Sequence, residues 1–405
     1  MPPALSRRGQ PDDFFLFGAA GGIQDGRLFS MMRAFSFRDS SIALALLGIA
    51  VFFGMVEPKF LDARNLSLLM TELSITATLA MGMLLVILPG HIDLSVGSGL
   101  ALLSGIATVL TTKAGLPAPV GLLTGLLAGL GIWWLKGVLV VRERIPAFIV
   151  TLAGLLVFRG LFWLVIQNQT VPVVAGGETN LYSLLSTFYL PPAAGFALAA
   201  LVAAGLAWAA WKGRAERRAA GFEMEDGELA FLRVFVAAQA VLLLVVITNQ
   251  FRGIPLPALI FASVALAVHV LTRHTAFGRH LYAIGGNVEA ALVSGVPVHR
   301  VVITALAMMG GIVAVTGFML TSYTGNSTTD LGEWMELDAV AACVIGGVSL
   351  RGGRGTVLGV LAGALIMATL LNGMTLMSVS PEYKLIVRGG VLLAAVWMDM
   401  RLSRA

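Results

Sequence analysis

Residues 301–321 read VVITALAMMGGIVAVTGFMLT, twenty-one consecutive positions without a charged side chain. A helix needs about 20 mainly apolar residues to cross the hydrocarbon core of a bilayer. A barrel strand would alternate apolar and polar residues, whereas this run is continuous and predicts a helix. Eleven similar apolar segments lie around it, at about 40–56, 66–88, 94–112, 119–141, 146–167, 193–211, 231–248, 257–271, 337–350, 356–378 and 384–398. We therefore predict an all-α polytopic membrane protein with about 12 transmembrane helices, some of them broken or half-helices.

The composition of the whole chain agrees with this prediction. Of its 405 residues, 58% are hydrophobic and 12% are charged, whereas a soluble domain is about 45–50% apolar and about 25% charged. So little polar material cannot cover a water-exposed surface, which excludes a soluble enzyme, a nucleic-acid-binding protein and a disordered scaffold. The single cysteine, Cys343, excludes an internal disulfide framework and a cysteine-based zinc site.

Lysine and arginine fall mainly on one side of the predicted membrane. If the N-terminus is cytoplasmic and the sides alternate, 19 of the 27 basic residues lie in cytoplasmic segments and six lie opposite. The positive-inside rule then predicts cytoplasmic tails at 1–39 and 400–405 and a transmembrane domain at 40–399. The bias accounts for the net charge of +5 without nucleic acid, although the basic run 212–218 could also bind anionic lipid. The apolar patch 14–23 follows two aspartates and does not fit a secretory signal.

The chain contains no recognisable catalytic motif. None of its five lysines follows a glycine, so the phosphate-binding G-x-x-x-x-G-K-[ST] loop is absent from the sequence. Its five histidines show no metal-ligand spacing with cysteines, and we expect no metal or cofactor on this chain. Energy must then come from an ion gradient or from another protein. The ionisable residues that could lie at membrane depth are Glu72, Asp93, Lys136, Arg159, Asp338 and Asp399. Most lie at span ends, although Lys136 and Arg159 lie within spans, and this gives a gradient-driven carrier little support.

A polar break interrupts the apolar segments at GHIDLSVG, residues 90–97. An aspartate flanked by apolar residues is costly in lipid unless the helix breaks there and lines a polar cavity. Pro89, which cannot continue a helical hydrogen-bond ladder, fits such a break. Alternatively, Asp93 or Ser95 simply caps the helix that follows. The two interpretations are compatible.

Directly upstream of 301–321 lies a loop, 272–300, that we predict to be cytoplasmic. The run from Val288 to Ser294 suits one or two helical turns after Gly285, Gly286 and Asn287. Asn287 is a favourable N-cap, Glu289 in the first turn complements the helix dipole, and Gly295 can end the turn. A short helix held outside the membrane could press on a soluble partner, although an ordinary structured loop is also possible.

Downstream of 301–321 lies ELDAVAACVIGGVSLRGGRG, residues 336–355. Its small residues permit close approach between helices, and its glycines predict a half-helix followed by a turn. This segment could line a pore or serve as a tightly packed structural helix.

Five stretches together resemble the permease subunits of sugar-importing ABC transporters of the ribose, xylose and galactose group. In order they are HIDLSVGS (91–98), IPAFIVTLAGLLVFRG (145–160), TAFGRHLYAIGGNVEAALVSGV (275–296), ELDAVAACVIGGVSLRGG (336–353) and LLAAVWMD (392–399). The chain is most similar to the xylose-importing members, because it adds a helix pair at 193–248 to a ten-helix core.

The resemblance implies a partner ATPase, which would hold ATP and magnesium, and a periplasmic sugar-binding protein. A second permease copy, forming a homodimer, and membrane lipid would be further partners, with no nucleic acid. The coupling residues that dock on the ATPase would be Gly285, Gly286, Asn287, Glu289, Ala290, Ala291, Ser294 and Gly295. The hydrophobic-proline part that follows this motif in many importers is not evident here. Our candidates for polar groups facing the translocation path are Asp93, Ser95, Asp338 and Asn372.

The prediction from sequence is thus a permease subunit of an inner-membrane importer for a monosaccharide, with D-xylose as its expected substrate. It would be a transport subunit without enzymatic activity of its own. The alternative is a gradient-driven sugar carrier that needs no ATPase. A structural or receptor protein would leave the glycine-rich breaks inside several spans unexplained.

Overall fold

The computed structural model describes residues 37–174, 176–222 and 226–402. The predicted N-terminal tail up to residue 36 and the last three residues of the C-terminal tail lie outside these residues. The description below concerns the compact unit Ala45–Ala405, within which all the candidate sites lie.

Helices make up about three quarters of the described residues, and the fold is all-α as predicted. In chain order they are α1 Phe37–Val56, α2 Ala63–Ile87, α3 Val96–Thr112, α4 Ala118–Val141, α5 Ala147–Ile166, α6 Leu181–Thr187, α7 Pro192–Ala219, α8 Gly227–Asn249, α9 Leu256–His274, α10 Ala276–Gly286, α11 Val288–Val293, α12 Val298–Thr324, α13 Met335–Ile345, α14 Val357–Leu376 and α15 Pro381–Leu402.

Each of the 12 predicted apolar segments coincides with one of these helices. Within the described residues, eight helices are long and apolar enough to cross a membrane: α2, α4, α5, α7, α8, α9, α12 and α14. Helices α1 and α3 contribute shorter apolar stretches, Ala43–Val56 and Val96–Thr112. Helix α13, with 11 residues, is the half-helix that its glycines predicted.

The core forms around α2, which packs against α9, α12, α13 and α14. Small residues let these helices approach closely, as is usual where lipid removes the hydrophobic drive for helix association. A side chain added at Gly310 of α12 would collide with the backbone of Gly129 on α4. On α13, Cys343 is fully buried, and its thiol donates a hydrogen bond to the carbonyl oxygen of Ala80 on α2 at 3.4 Å. Helix α13 is therefore fixed against the centre of the core.

The extra helix pair, α7 and α8, lies at the edge of the core. Only 11% of the apolar window of α7 and 6% of that of α8 is buried, against 78% for α2. The pair packs mainly on itself through a small cluster that includes Ala199, Val245 and Ile254. An antiparallel two-residue ladder of β2 (Tyr189–Leu190) with β3 (Ile254–Pro255) joins the segment before α7 to the segment after α8.

A second short ladder pins the segment between α12 and α13. Strand β1 (Val171–Pro172) pairs antiparallel with β4 (Asn326–Ser327). The chain then passes inward from β4 until Gly332 packs against the backbone of Gly97 at the start of α3. Gly332 has a φ of 72°, and an added Cβ would collide with the carbonyl oxygen of Gly97, so only glycine fits this close approach. The segment 328–334 is thereby held over the N-terminus of α3.

Candidate functional site

The predicted break between α2 and α3 is present, and Asp93 lies fully buried within it. One carboxylate oxygen of Asp93 accepts hydrogen bonds from the backbone N–H of Ser95 at 2.9 Å and from its hydroxyl at 2.7 Å. Ser95 occupies the N-cap position of α3, although its side chain makes no capping hydrogen bond. The helix breaks here as predicted, but neither Asp93 nor Ser95 caps α3 through a side-chain hydrogen bond, and neither residue lines the two cavities that lie along α5.

The second carboxylate oxygen of Asp93 is held by α4. The ammonium of Lys136 lies 2.6 Å from it, and the indole N–H of Trp133 donates to it at 2.7 Å. The Lys136 ammonium also lies 4.3 Å from the centroid of the Trp133 ring, a cation–π contact. Both charges are buried, so neither could persist in a lipid-embedded site without the other. Lys136 lies inside a predicted span, but no motif in the sequence assigns it to a site.

A second break follows α13, as its glycines predicted. The backbone N–H of Gly353 in this turn donates to the carbonyl oxygen of Leu88 at 2.9 Å. This single hydrogen bond joins the break after α2 to the break after α13. The ends of the two helices are therefore linked through their backbones.

The predicted short helix after Asn287 is present as α11, Val288–Val293. The side-chain oxygen of Asn287 caps it by accepting a hydrogen bond from the backbone N–H of Ala290 at 2.9 Å, as predicted. Gly295, with a φ of 79°, ends the turn. Val293 is 90% exposed, with Val288 and Leu292 about half exposed. Exposed apolar side chains of this kind mark a contact with another protein or with a membrane.

Gly285 and Gly286 belong to the end of α10 rather than to a turn before α11. An added side chain at Gly285 would collide with the carbonyl oxygen of Leu88 and the backbone nitrogen of Gly353. The hydroxyl of Tyr282, one turn earlier, donates to the carbonyl oxygen of Gly355 at 2.8 Å. Helix α10 thus contacts the backbone of both breaks, a role for Gly285 that the sequence alone did not reveal.

Two cavities lie along α5. The small cavity, of about 350 Å³, is lined by residues of the first break and the start of α5: Gly90, His91, Ile92, Leu94, Pro146, Ala147 and Phe148. The large cavity, of about 460 Å³, is lined by Ser98, Leu155, Arg159, Trp163, Thr329, Asp330, Glu333, Trp334 and Glu336. Both volumes fall within the range of about 300–1,000 Å³ that is usual for small-molecule sites.

The four predicted path residues lie in three separate places. Asp93 and Ser95 share the buried cluster with Lys136, while Asp338 forms an ion pair with Arg388 of α15 at 3.2 Å. Asn372 exchanges hydrogen bonds with the buried Asn65, the shorter at 2.9 Å. None of the four is among the residues that line either cavity. Their role as path residues stays a prediction.

No group of three or more histidine, cysteine, aspartate or glutamate side chains that could hold a metal is found in 37–174, 176–222 and 226–402. The described residues thus combine an exposed short helix, a neighbouring helix that contacts two helix breaks, and two cavities along α5.

Comparison with known proteins assigns this arrangement to a family. The family model described as the permease component of the branched-chain amino acid transport system matches residues 65–396. The xylose transport system permease protein XylH of Escherichia coli K12 is 38% identical over 378 residues, covering 93% of this chain and 95% of that protein. Its counterpart in Haemophilus influenzae is 41% identical, covering 88% of this chain and 94% of the relative. The ribose import permease protein RbsC of Bacillus subtilis is 33% identical, covering 89% and 92%. No solved structure gives a significant match.

Proposed function

Since the chain belongs to the permease family of the branched-chain amino acid transport system, we propose that it is the membrane-spanning subunit of an ABC importer for a monosaccharide, with D-xylose as its substrate. It is a transport subunit and not an enzyme. The choice of xylose is supported by identities of 38% and 41% to two xylose permeases, against 33% to a ribose permease.

The family implies two partner proteins, an ATPase and a sugar-binding protein. ATP and magnesium would be held by the ATPase. We further propose a pair of identical permease copies in the bacterial inner membrane, with both termini in the cytoplasm. The excess of basic residues on the side that carries α11 supports this orientation.

The observation that carries the mechanism is the contact between α10 and the two breaks. We propose that the ATPase docks on α11 through the exposed Val288, Leu292 and Val293. Closure of the ATPase would move α10 and α11 as one body, because only Asn287 separates the two helices. The close contacts of Gly285 and Tyr282 would pass that movement to the breaks after α2 and α13.

Docking can be tested with Val293→Asp, which changes a side chain that is 90% exposed and should therefore leave the fold intact. A buried carboxylate in the docked interface is unfavourable. We expect the ATPase to be lost on copurification, together with sugar-stimulated ATP hydrolysis and uptake. The matched control is Arg217→Glu, an exposed charge change at the end of α7, which should leave all three unchanged.

Unchanged copurification and uptake in Val293→Asp would overturn the docking assignment. Sugar uptake by the purified chain in vesicles with an ion gradient and without an ATPase would identify a gradient-driven carrier instead.

A further inference from the structure

The large cavity has the chemistry of a sugar site. We propose that it binds a neutral monosaccharide at low affinity on the way through the membrane, an inference that rests on the proposed function. Buried Ser98 and Glu336 form its floor, and half-exposed Trp163 and Trp334 stand at its rim. A few polar groups that converge between aromatic walls are the usual composition of a small-molecule site.

The two tryptophans provide flat apolar surfaces for the C–H faces of a sugar ring. Trp163 is 44% exposed and Trp334 is 42% exposed, so each presents one side to the cavity opening. The indole N–H of Trp163 donates to the carbonyl oxygen of Thr329 at 3.1 Å, which fixes the plane of its ring. A fixed aromatic ring loses little conformational entropy when a ligand packs on it.

Trp334 is held in place at the expense of backbone strain. It has a φ of 64°, a left-handed conformation that is rare for a bulky residue. Such outliers persist where the surrounding structure enforces them, and they concentrate at functional sites. Here the enforcement comes from Gly332, which is packed against Gly97, and from Met335, where α13 begins. The strain therefore sets the position of an indole at the rim of the cavity.

The polar groups of the cavity suit hydroxyl ligands. Arg159 donates one hydrogen bond, to the carbonyl oxygen of Thr329 at 3.1 Å, and a guanidinium has five donors in all. The carboxylate of Glu336 accepts a hydrogen bond from its own backbone N–H, and among the described residues it lacks a hydrogen bond to another side chain. A sugar hydroxyl can accept from Arg159 and donate to Glu336 at once. Binding would thus satisfy polar groups that lie within the predicted span region.

The charge of the cavity selects against anionic sugars. Arg159 is its one cation among the lining residues, against the three carboxylates of Asp330, Glu333 and Glu336. This excess of two negative charges repels a phosphate group, and the repulsion is strong where water is scarce. The site should therefore accept a free pentose and reject its phosphate ester.

The position of the cavity fits a passage through the membrane. The large cavity contacts α5 at Leu155, Arg159 and Trp163, and the small cavity contacts it at Pro146–Phe148. From Phe148 to Leu155 the helix rises about 10 Å. The two cavities therefore lie next to each other along α5. A transported molecule must bind weakly enough to leave each of them.

Binding can be measured by saturation-transfer NMR on the full chain in lipid nanodiscs, with D-xylose as the probe and ribose 5-phosphate as its anionic counterpart. We expect saturable D-xylose binding and none of the phosphate ester. Trp163→Ala and Trp334→Ala should each weaken binding by about tenfold. Trp208→Ala on α7, which removes a tryptophan that is 60% exposed and does not line the cavity, should change nothing. No binding to the wild type, equal binding of the phosphate ester, or unchanged affinity in both tryptophan variants would overturn the proposal.

A second variant separates sugar binding from folding. Trp334→Gly removes the indole and also relieves the backbone strain, because glycine adopts a φ near 64° freely. We expect its thermal unfolding midpoint to equal or exceed that of the wild type while D-xylose binding falls about tenfold. Unchanged sugar binding in this variant would contradict the proposal. ATPase copurification, measured on the same preparations, reports separately on the proposed function. If the ATPase does not copurify while sugar binding is intact, only the importer assignment is contradicted.

Discussion

Two buried carboxylates in this protein lie near helix N-termini, Asp93 before α3 and Glu336 in the first turn of α13, and their surroundings differ. Asp93 is closed off, with both oxygens occupied by Ser95, Trp133 and Lys136. Glu336, 7% exposed, lines a cavity and has only the nearby Arg159 as a cation among the lining residues. The first arrangement satisfies a charge internally, and the second leaves a charge for something else to satisfy. Burial of an acidic residue therefore does not identify a site, whereas the state of its oxygens does.

The largest expected effect comes from removing Lys136, the charged partner of the Asp93 carboxylate. Lys136→Met leaves Asp93 buried and uncompensated, which costs about 3–5 kcal/mol. We expect a marked fall in the thermal unfolding midpoint in detergent, followed by tryptophan fluorescence. Asp93→Asn combined with Lys136→Met removes both charges and keeps an acceptor for Trp133, and it should recover most of the loss. A single variant as stable as the wild type would show that the pair does not hold the break together.

A medium effect should follow from crowding the contact between the start of α3 and the segment that leads into α13. A side chain added at Gly97 would collide with the carboxylate of Glu336 and the carbonyl oxygen of Gly332. Gly97→Ala should cost about 1–3 kcal/mol, as is usual for overpacking, and should also weaken D-xylose binding. Gly160→Ala on α5 is the matched control, because its added methyl group meets no atom within 4 Å. It should leave stability equal or slightly higher. Equal stability of the two variants would argue against the close contact.

The smallest effect on stability should come from changing Glu336, the carboxylate that lines the large cavity. Glu336→Gln removes a buried charge that no side chain satisfies, so we expect a change of less than about 0.5 kcal/mol or a small gain. D-xylose binding should nevertheless weaken, because the amide cannot accept as strongly as a carboxylate. A large loss of stability in this variant would show that Glu336, like Asp93, serves the fold.

The helices could be predicted from sequence because a membrane span depends on local apolar length alone. The break at Pro89 and the short helix between Asn287 and Gly295 were likewise predicted from residues that act on their own backbone. The pairing of Asp93 with Lys136 was not, because it depends on the rotation of α4 about its axis and spans 43 residues.

The choice of acidic residue in α13 shows the same limit. Asp338 was selected as a path residue, whereas Glu336, two positions earlier, lines the large cavity. Residues two apart on a helix point to nearly opposite sides, and the sequence does not say which side meets a cavity. Asp338 instead meets Arg388 of α15. The contact of Gly285 with both breaks was also beyond the sequence, since it joins three distant segments.

The lone cysteine provides a natural accessibility probe for movement of the core helices. The Cys343 thiol is sealed between the half-helix α13 and the central α2, so a maleimide can reach it only when those two helices part. Alkylation rates could be recorded with the ATPase free of nucleotide, bound to nucleotide and hydrolysing it. A faster rate in one state would show that α2 and α13 separate in that state, and no cysteine has to be introduced.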